Sequence, residues 1–446
     1  MARAVLVALL LAATAHAADR PTFSVDYVVR IASGDPGRAH IRWELAGIDE
    51  IARFRLVFRD GRAADVQGTG RLDWQGRTLE WTPGGPYAHL EYTITIDKHR
   101  PTGGPRYDSH AEPTWVATRA RHLFPQINVH FRPGAEAARA RARLLFRLPK
   151  GWKSVATGEL IGSHAFVVEE PGKRLARPRG WFLLGDVDTT TRRIAGMEIT
   201  VAAAPGSGLD VPRLFRFYEQ TIPLLAPLLG SPPARLLVVS APDPMWRGGI
   251  SGEGSFYVNG RIAVRSRDRT STYLHELIHV WQPFRPEGDG RWISEGLAEY
   301  YSLVIQRRAG MLSAAGFARG IELFARHGRW DIDLSRTHDA AALNNSAPLV
   351  LHWLDTEIAR ATDGAKSLDD AVRRLAADSR ELTTASFLRA VNRTAGKDFT
   401  PWFRRYVFRG RRPPVTDEPV AGLPGPASVR YRPQAPVRRR RPQCPT

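Results

Sequence analysis

Cysteine is nearly absent from this chain: of 446 residues only one, Cys444, carries a thiol, and it lies close to the C-terminal end. An internal disulfide is therefore excluded, and the fold must be held by burial alone. Long apolar runs are missing as well. The one at the start, from Ala4 to Ala13, is too short to cross a bilayer, and no later segment approaches the roughly 20 apolar residues of a membrane helix. No transmembrane segment is expected. With Arg3 before it and Ala15-His16-Ala17 after it, the first run reads instead as a secretory signal spanning 1–17. The expectation is an exported protein, periplasmic or secreted. Its length suggests two or three domains.

Acidic residues are in deficit. The formal charge is +19, a balance that suits nucleic acid or an anionic surface. Arginine, however, is spread along the whole sequence, and the stretch from Arg411 to Thr446 alone holds eight arginines against Asp417 and Glu418. No aromatic-basic ribbon or recognised module accompanies the charge, so a specific nucleic-acid partner is not expected. The run Arg438 to Arg441 is a candidate contact for anionic surfaces.

Between Phe23 and Ala204 no helical period persists. Short alternating stretches such as "FSVDYVVRI", "AHIRWEL" and "LEYTITI", separated by Gly, Pro and Asp, predict strands over 18–204 packed as an antiparallel β-sandwich. From Pro205 the pattern changes. "LDVPRLFRFYEQTIPLLAPLLG" predicts a helix, "ARLLVVSA" a buried strand, and "SFYVNGRIAVRS" a more polar strand suited to a sheet edge. After Thr270 helices are predicted over 271–282, 292–308, 313–327, 346–361, 367–377, 384–395 and 399–408, with Ser367 and Thr383 or Thr384 as caps and Gly396 as a stop. The fold class is thus α+β: an N-terminal β-domain at 18–204, an α/β segment at 205–330, a helical segment at 331–412, and a disordered Arg/Pro-rich tail at 413–446.

The chemistry concentrates in "YLHELIHVWQP". On a helix, His275 and His279 lie four residues apart, about 40° in rotation, and project from one face. Both can reach one Zn²⁺, with Glu276 beside them to accept a proton from water. Thr270 or Ser271 would cap this helix and Pro283 end it. A third ligand is needed, and "RWISEGLAEYY" offers Glu295 on the next predicted helix. Glu299, one turn further on, could accept the second N–H of a ligand imidazole. Two histidines and three glutamates on facing helices would be costly to bury without a metal. Trp281, Trp292, Tyr300 and Tyr301 read as core and wall.

HELIH followed by WISEGLAEYY resembles the gluzincin metallopeptidases, in particular the glycyl aminopeptidase family and its larger relative, the aminopeptidase N family. The segment from Ser367 to Val415 is similar to that family's helical C-terminal part, and "RLLFRLPKGWKSVATG" to its β-domain. The resemblance implies a β-sandwich, a thermolysin-like catalytic domain and a helical domain closing over the cleft. It implies one zinc per chain on His275, His279 and Glu295, with Glu276 polarising water. It further implies that a peptide substrate adds to the edge of "SFYVNGRIAV".

Three departures stand out. In "RGGISGEGSFY" the family's substrate-holding stretch has Ser251 where an acid is expected. Glu253 follows two residues late, leaving it and Gly249 as the candidate substrate-binding residues. No tyrosine occurs between Tyr301 and Tyr406 to stabilise an oxyanion, so Asn344, Asn345 or His338 would have to donate. The PDZ module with which the family often ends is not recognised. The expected function is a zinc metallopeptidase, aminopeptidase-like; the alternative is a weak or inactive homologue that binds peptides or an envelope partner.

Overall fold

The computed structural model describes residues 22–415, apart from 59–62, 102–105 and 379. The predicted signal at 1–17, Cys444 and the arginine run 438–441 lie outside the described residues. By its contacts the chain divides into two compact units, one reaching to Arg285 and the other starting at Pro286. Among the described residues no helix is long and apolar enough to cross a membrane.

In the first unit, β1 (Phe23–Ala32), β2 (Asp35–Ala46) and β3 (Tyr87–Thr95) form the middle of a six-stranded sheet. Their alternation of buried and accessible positions comes from side chains pointing to opposite faces. β4 (Trp115–Arg119), β5 (Ala140–Arg147) and β6 (Trp181–Gly185) follow in the chain. The sequence pattern predicts antiparallel pairing throughout this region, and the pairing of β1 departs from it. β1 runs parallel to β5, from Phe23 opposite Ala140 to Arg30 opposite Arg147. Parallel neighbours need a long connection, and the chain between Ala32 and Ala140 supplies one. The inner faces of this sheet, of the four-stranded sheet containing Ile51–Val57 and Thr78–Thr82, and of β4 and β6 share one core built on Tyr27, Trp43, Phe54, Trp81 and Tyr92.

All five residues of β6 are buried. Phe182 and Leu184 face that first core, while Trp181 and Leu183 face a second one with Trp115, Val239 and Tyr257. The second core belongs to a mixed sheet containing β7 (Met197–Ala203), β8 (Arg235–Ser240), β9 (Gly249–Gly252) and β10 (Ser255–Val258). β7, β8 and β10 run parallel, and α1 (Val211–Leu229) joins β7 to β8. Asp210 caps α1 by accepting from the Arg213 N–H at 2.9 Å, and Leu214, Phe215, Tyr218, Ile222 and Leu225 form its buried stripe.

The expected edge strand is corrected here. "SFYV" is an interior strand, buried at every position between β8 and β9, and only its first four residues extend. The sheet ends instead on β9, the "GISG" strand, which folds back antiparallel on β10 through Glu253 and Gly254, the latter at φ +63°. The unit closes with α2 (Thr272–Trp281), capped by Ser271.

The second unit is helical: α3 (Arg291–Arg308), α4 (Ala314–His327), α5 (Ala347–Ala361), α6 (Leu368–Asp378) and α7 (Thr384–Ala395). Thr383 makes the cap of α7 through a reciprocal pair with Ser386, and Gly396 ends it in the left-handed region. Where 399–408 reads as one helix, a single turn at Thr400–Phe403 passes into a π-turn at Arg404–Phe408. A second π-turn, Ala342–Ser346, precedes α5. α3 and α5 approach closely at Gly296, where a Cβ would stand 2.9 Å from Leu351 Cδ1 and 3.0 Å from Ala347 Cβ. Buried and part-buried polar ties join α3 to α5 and α6. Tyr300 donates to Asp355 at 2.8 Å, Tyr301 donates to Asp369 at 2.9 Å, and Arg308 pairs with Asp369 at 2.9 Å.

Candidate metal centre

Ser271 sets the start of α2: its hydroxyl accepts from the Leu274 N–H and donates to the Val264 carbonyl. Tyr273, Leu274, Leu277, Ile278 and Trp281 bury one side of the helix, which turns His275 and His279 to its half-buried side. Their Nε2 atoms stand 3.0 Å apart, with the rings at 77°. Two donors on one tetrahedral zinc at about 2.1 Å lie roughly 3.3 Å from each other, so this separation is close to that of ligands sharing an ion. Glu295, in the second turn of α3, completes the group: His275, His279 and Glu295 each offer a ligand atom, and these atoms all lie within 4.8 Å of one another. Two imidazoles and a carboxylate are a donor set that suits Zn²⁺ and leaves a fourth position open. The three residues thus form a possible metal site.

Glu276, beside them in sequence, is only 6% exposed. Its carboxylate lies against Gly249 of β9, at a place where a Cβ would stand 2.5 Å from its Cγ. The Gly248-Gly249 pair at the start of this four-residue strand is the sequence signal for this contact, although the pattern alone gives no reason to pair it with Glu276. Glu299 is half-buried one turn beyond Glu295 on α3.

Glu253 sits elsewhere, at the tip of the β9–β10 hairpin, where Arg179 Nη2 meets its carboxylate at 3.3 Å. Burial pushes the Glu253 carboxyl upward in pKa, but the charges of Arg179 and Arg177, with hydrogen bonding, outweigh this and hold it below the ordinary range. Of the three candidate oxyanion donors, Asn344 is exposed, Asn345 donates to the Ala341 carbonyl at 3.1 Å, and His338 meets Arg291 at 3.2 Å. Trp281, Trp292, Tyr300 and Tyr301 are all buried, as expected of core and wall.

The architecture is that of aminopeptidase N-like zinc metallopeptidases of the M1 family, which are its structural neighbours. An aminopeptidase N family protein from Idiomarina loihiensis superposes at a TM-score of 0.67 with 11% identity, covering 88% of this chain and 77% of its own. The M1 zinc metallopeptidase of Deinococcus radiodurans gives 0.60 at 17% identity over 90% and 96% of the two chains. Aminopeptidase A of Legionella pneumophila, solved with aspartic acid, gives 0.55 at 14% identity over 88% and 50%. Neither a protein-family model nor a curated protein matches the sequence.

Proposed function

We propose that the protein is an exported zinc metallopeptidase that hydrolyses peptide bonds. The observation that carries this reading is the convergence of His275, His279 and Glu295 with the adjoining Glu276 held against Gly249. Zinc in that site would supply a Lewis acid, lowering the pKa of water and polarising a carbonyl. Glu276 takes a proton from the water that attacks the carbonyl carbon and returns it to the departing amine as the C–N bond breaks. His275, His279 and Glu295 would hold the ion. Glu299 orients a ligand imidazole by accepting its second N–H.

Aminopeptidase specificity through Glu253 does not enter this proposal, because its carboxylate is engaged by Arg179. A second reading, a zinc-containing homologue that binds peptides without turning them over, is favoured by the absence of a tyrosine between Tyr301 and Tyr406. The two are separated by measuring metal content and turnover of wild type and Glu276→Gln on peptide and amino-acyl reporter substrates. One zinc in both proteins with cleavage in wild type alone supports the hydrolase. One zinc in both with no cleavage by either overturns it.

A further inference from the structure

β9 is the last strand on its side of the sheet, a position at which an extended ligand can pair with the backbone; within it the Ile250 carbonyl accepts from Trp181 Nε1 at 3.0 Å. Glu276 touches the first residue of that strand, Gly249. Both ends of the strand are flanked by arginines in excess of acids. Before it, Asp243 is the shared partner of three guanidinium groups: Arg247, two residues ahead of Gly249, with Nε at 2.9 Å, Arg106 at 3.3 Å and Arg261 at 3.8 Å. These arginines hold the Asp243 carboxyl down at about 2, Arg247 chief among them. One carboxylate against three cations leaves this end net positive.

After the strand the same imbalance recurs around Glu253. Arg179 bridges Glu253 at 3.3 Å and Glu170 at 3.4 Å. Arg121 and Arg177 join Glu253 in lining a cavity of about 440 Å³. Behind it Arg119 is only 5% exposed, its guanidinium 3.2 Å from His122 Nε2 and 5.4 Å from the Trp181 ring, and its Nε has no hydrogen-bond partner among the described residues. Arg119, Arg121, Arg177 and Arg179 stand against Glu170 and Glu253, with Asp108, itself paired with Arg100 at 2.8 Å, also acting on Arg119. A buried cation so weakly compensated costs free energy unless an anion is brought to it. An ammonium group arriving here would meet repulsion.

The geometry points to an acidic peptide as the ligand of β9: a segment with carboxylates on both sides of the residue beside Glu276, and with no need of a free amino terminus. This rests on the peptidase reading for its substrate but reads out in binding. Extended chains advance about 3.4 Å per residue, so side chains about two positions to one side of Gly249 and about four to the other reach the two clusters. Complementary charge of this kind raises both affinity and encounter rate, and salt weakens it.

The test uses zinc-loaded Glu276→Gln protein for binding and zinc-loaded wild type for cleavage. The probes are N-acetylated decapeptides identical except for four positions, filled with Glu, Gln or Lys, and the Gln peptide with a free amino terminus. The Glu peptide is expected to bind at least about tenfold more tightly than the Gln peptide at low salt, with the advantage shrinking as salt is raised. Arg177→Gln and Arg247→Gln should each cut that advantage several-fold and Lys at either position restore most of it, while Arg216→Gln, on the exposed side of α1, should not. Equal or tighter binding of the Gln, Lys or free-amine peptide overturns the proposal. So does an equal effect of Arg216→Gln, which would assign the preference to total charge. Cleavage without charge preference overturns it and leaves the hydrolase standing; charge-selective binding without cleavage does the reverse.

Discussion

Gly249 and Glu276 pack so closely that a Cβ on residue 249 would stand 2.5 Å from Glu276 Cγ and 2.7 Å from Cδ. Strand and helix therefore fix one another at the atom proposed to carry the proton. Gly249→Ala must push that carboxylate aside without touching His275, His279 or Glu295. The expected result is unchanged zinc content with a loss in kcat on the order of a hundredfold, the scale of a misplaced general base. Metal analysis beside steady-state kinetics checks both halves.

The ligand set separates from the base in the opposite way. Glu295→Ala and His279→Ala should lose zinc on dialysis against a mild chelator, whereas Glu276→Gln should retain it. A ligand that binds only the folded chain stabilises it, so zinc at about 100 times its Kd should stabilise wild type by about 2.7 kcal/mol. Glu295→Ala should show little of this gain in a thermal melt. A melt of Glu295→Ala as zinc-responsive as wild type would remove it from the ligand set.

Two buried groups of α5 give opposite responses to pH. Burial pushes the Asp355 carboxyl up to about 6, against hydrogen bonds from the Leu368 N–H and the Tyr300 hydroxyl. The unfolded value is about 3.9, so its contribution to stability is full below that pH and is lost as pH rises toward the folded value. Burial pushes His352 down to about 4. Its contribution is full above an unfolded value of about 6.5 and is lost as pH falls toward the folded one. Each amounts to about 3 kcal/mol. Between pH 4 and 6 Asp355→Asn should make stability rise more steeply with pH, and His352→Gln should make it fall, as measured by urea unfolding.

Gly290, at the start of α3, lies under the main chain of Leu382: a Cβ there would overlap the Leu382 carbonyl oxygen and stand 2.6 Å from its carbon. Its φ of −82° suits any residue, so the objection is space alone. Gly290→Ala should cost about 2 kcal/mol or more, read as a lower urea midpoint with an unchanged slope.

The helices were legible because caps and apolar periods are local. Ser271, Thr383 and Gly396 do what their positions predict, and the spacing of His275, Glu276 and His279 needs only the geometry of one helix. The grouping of Glu295 with the two histidines was likewise expected, since it sits at the start of the next helix. What stayed hidden depends on partners remote in sequence. Nothing within "SFYV" distinguishes a strand buried on both sides from an edge, because its neighbours β8 and β9 decide that. The parallel pairing of β1 with β5 joins segments more than a hundred residues apart. Glu253 looks like an available acid until Arg179 is brought to it.

β6 gives its alternate side chains to two separate hydrophobic interiors, Phe182 and Leu184 to one, Trp181 and Leu183 to the other. A slip of one residue would hand each interior the wrong set, so neither can loosen while the other stays intact. On heating, both should come apart in a single cooperative transition.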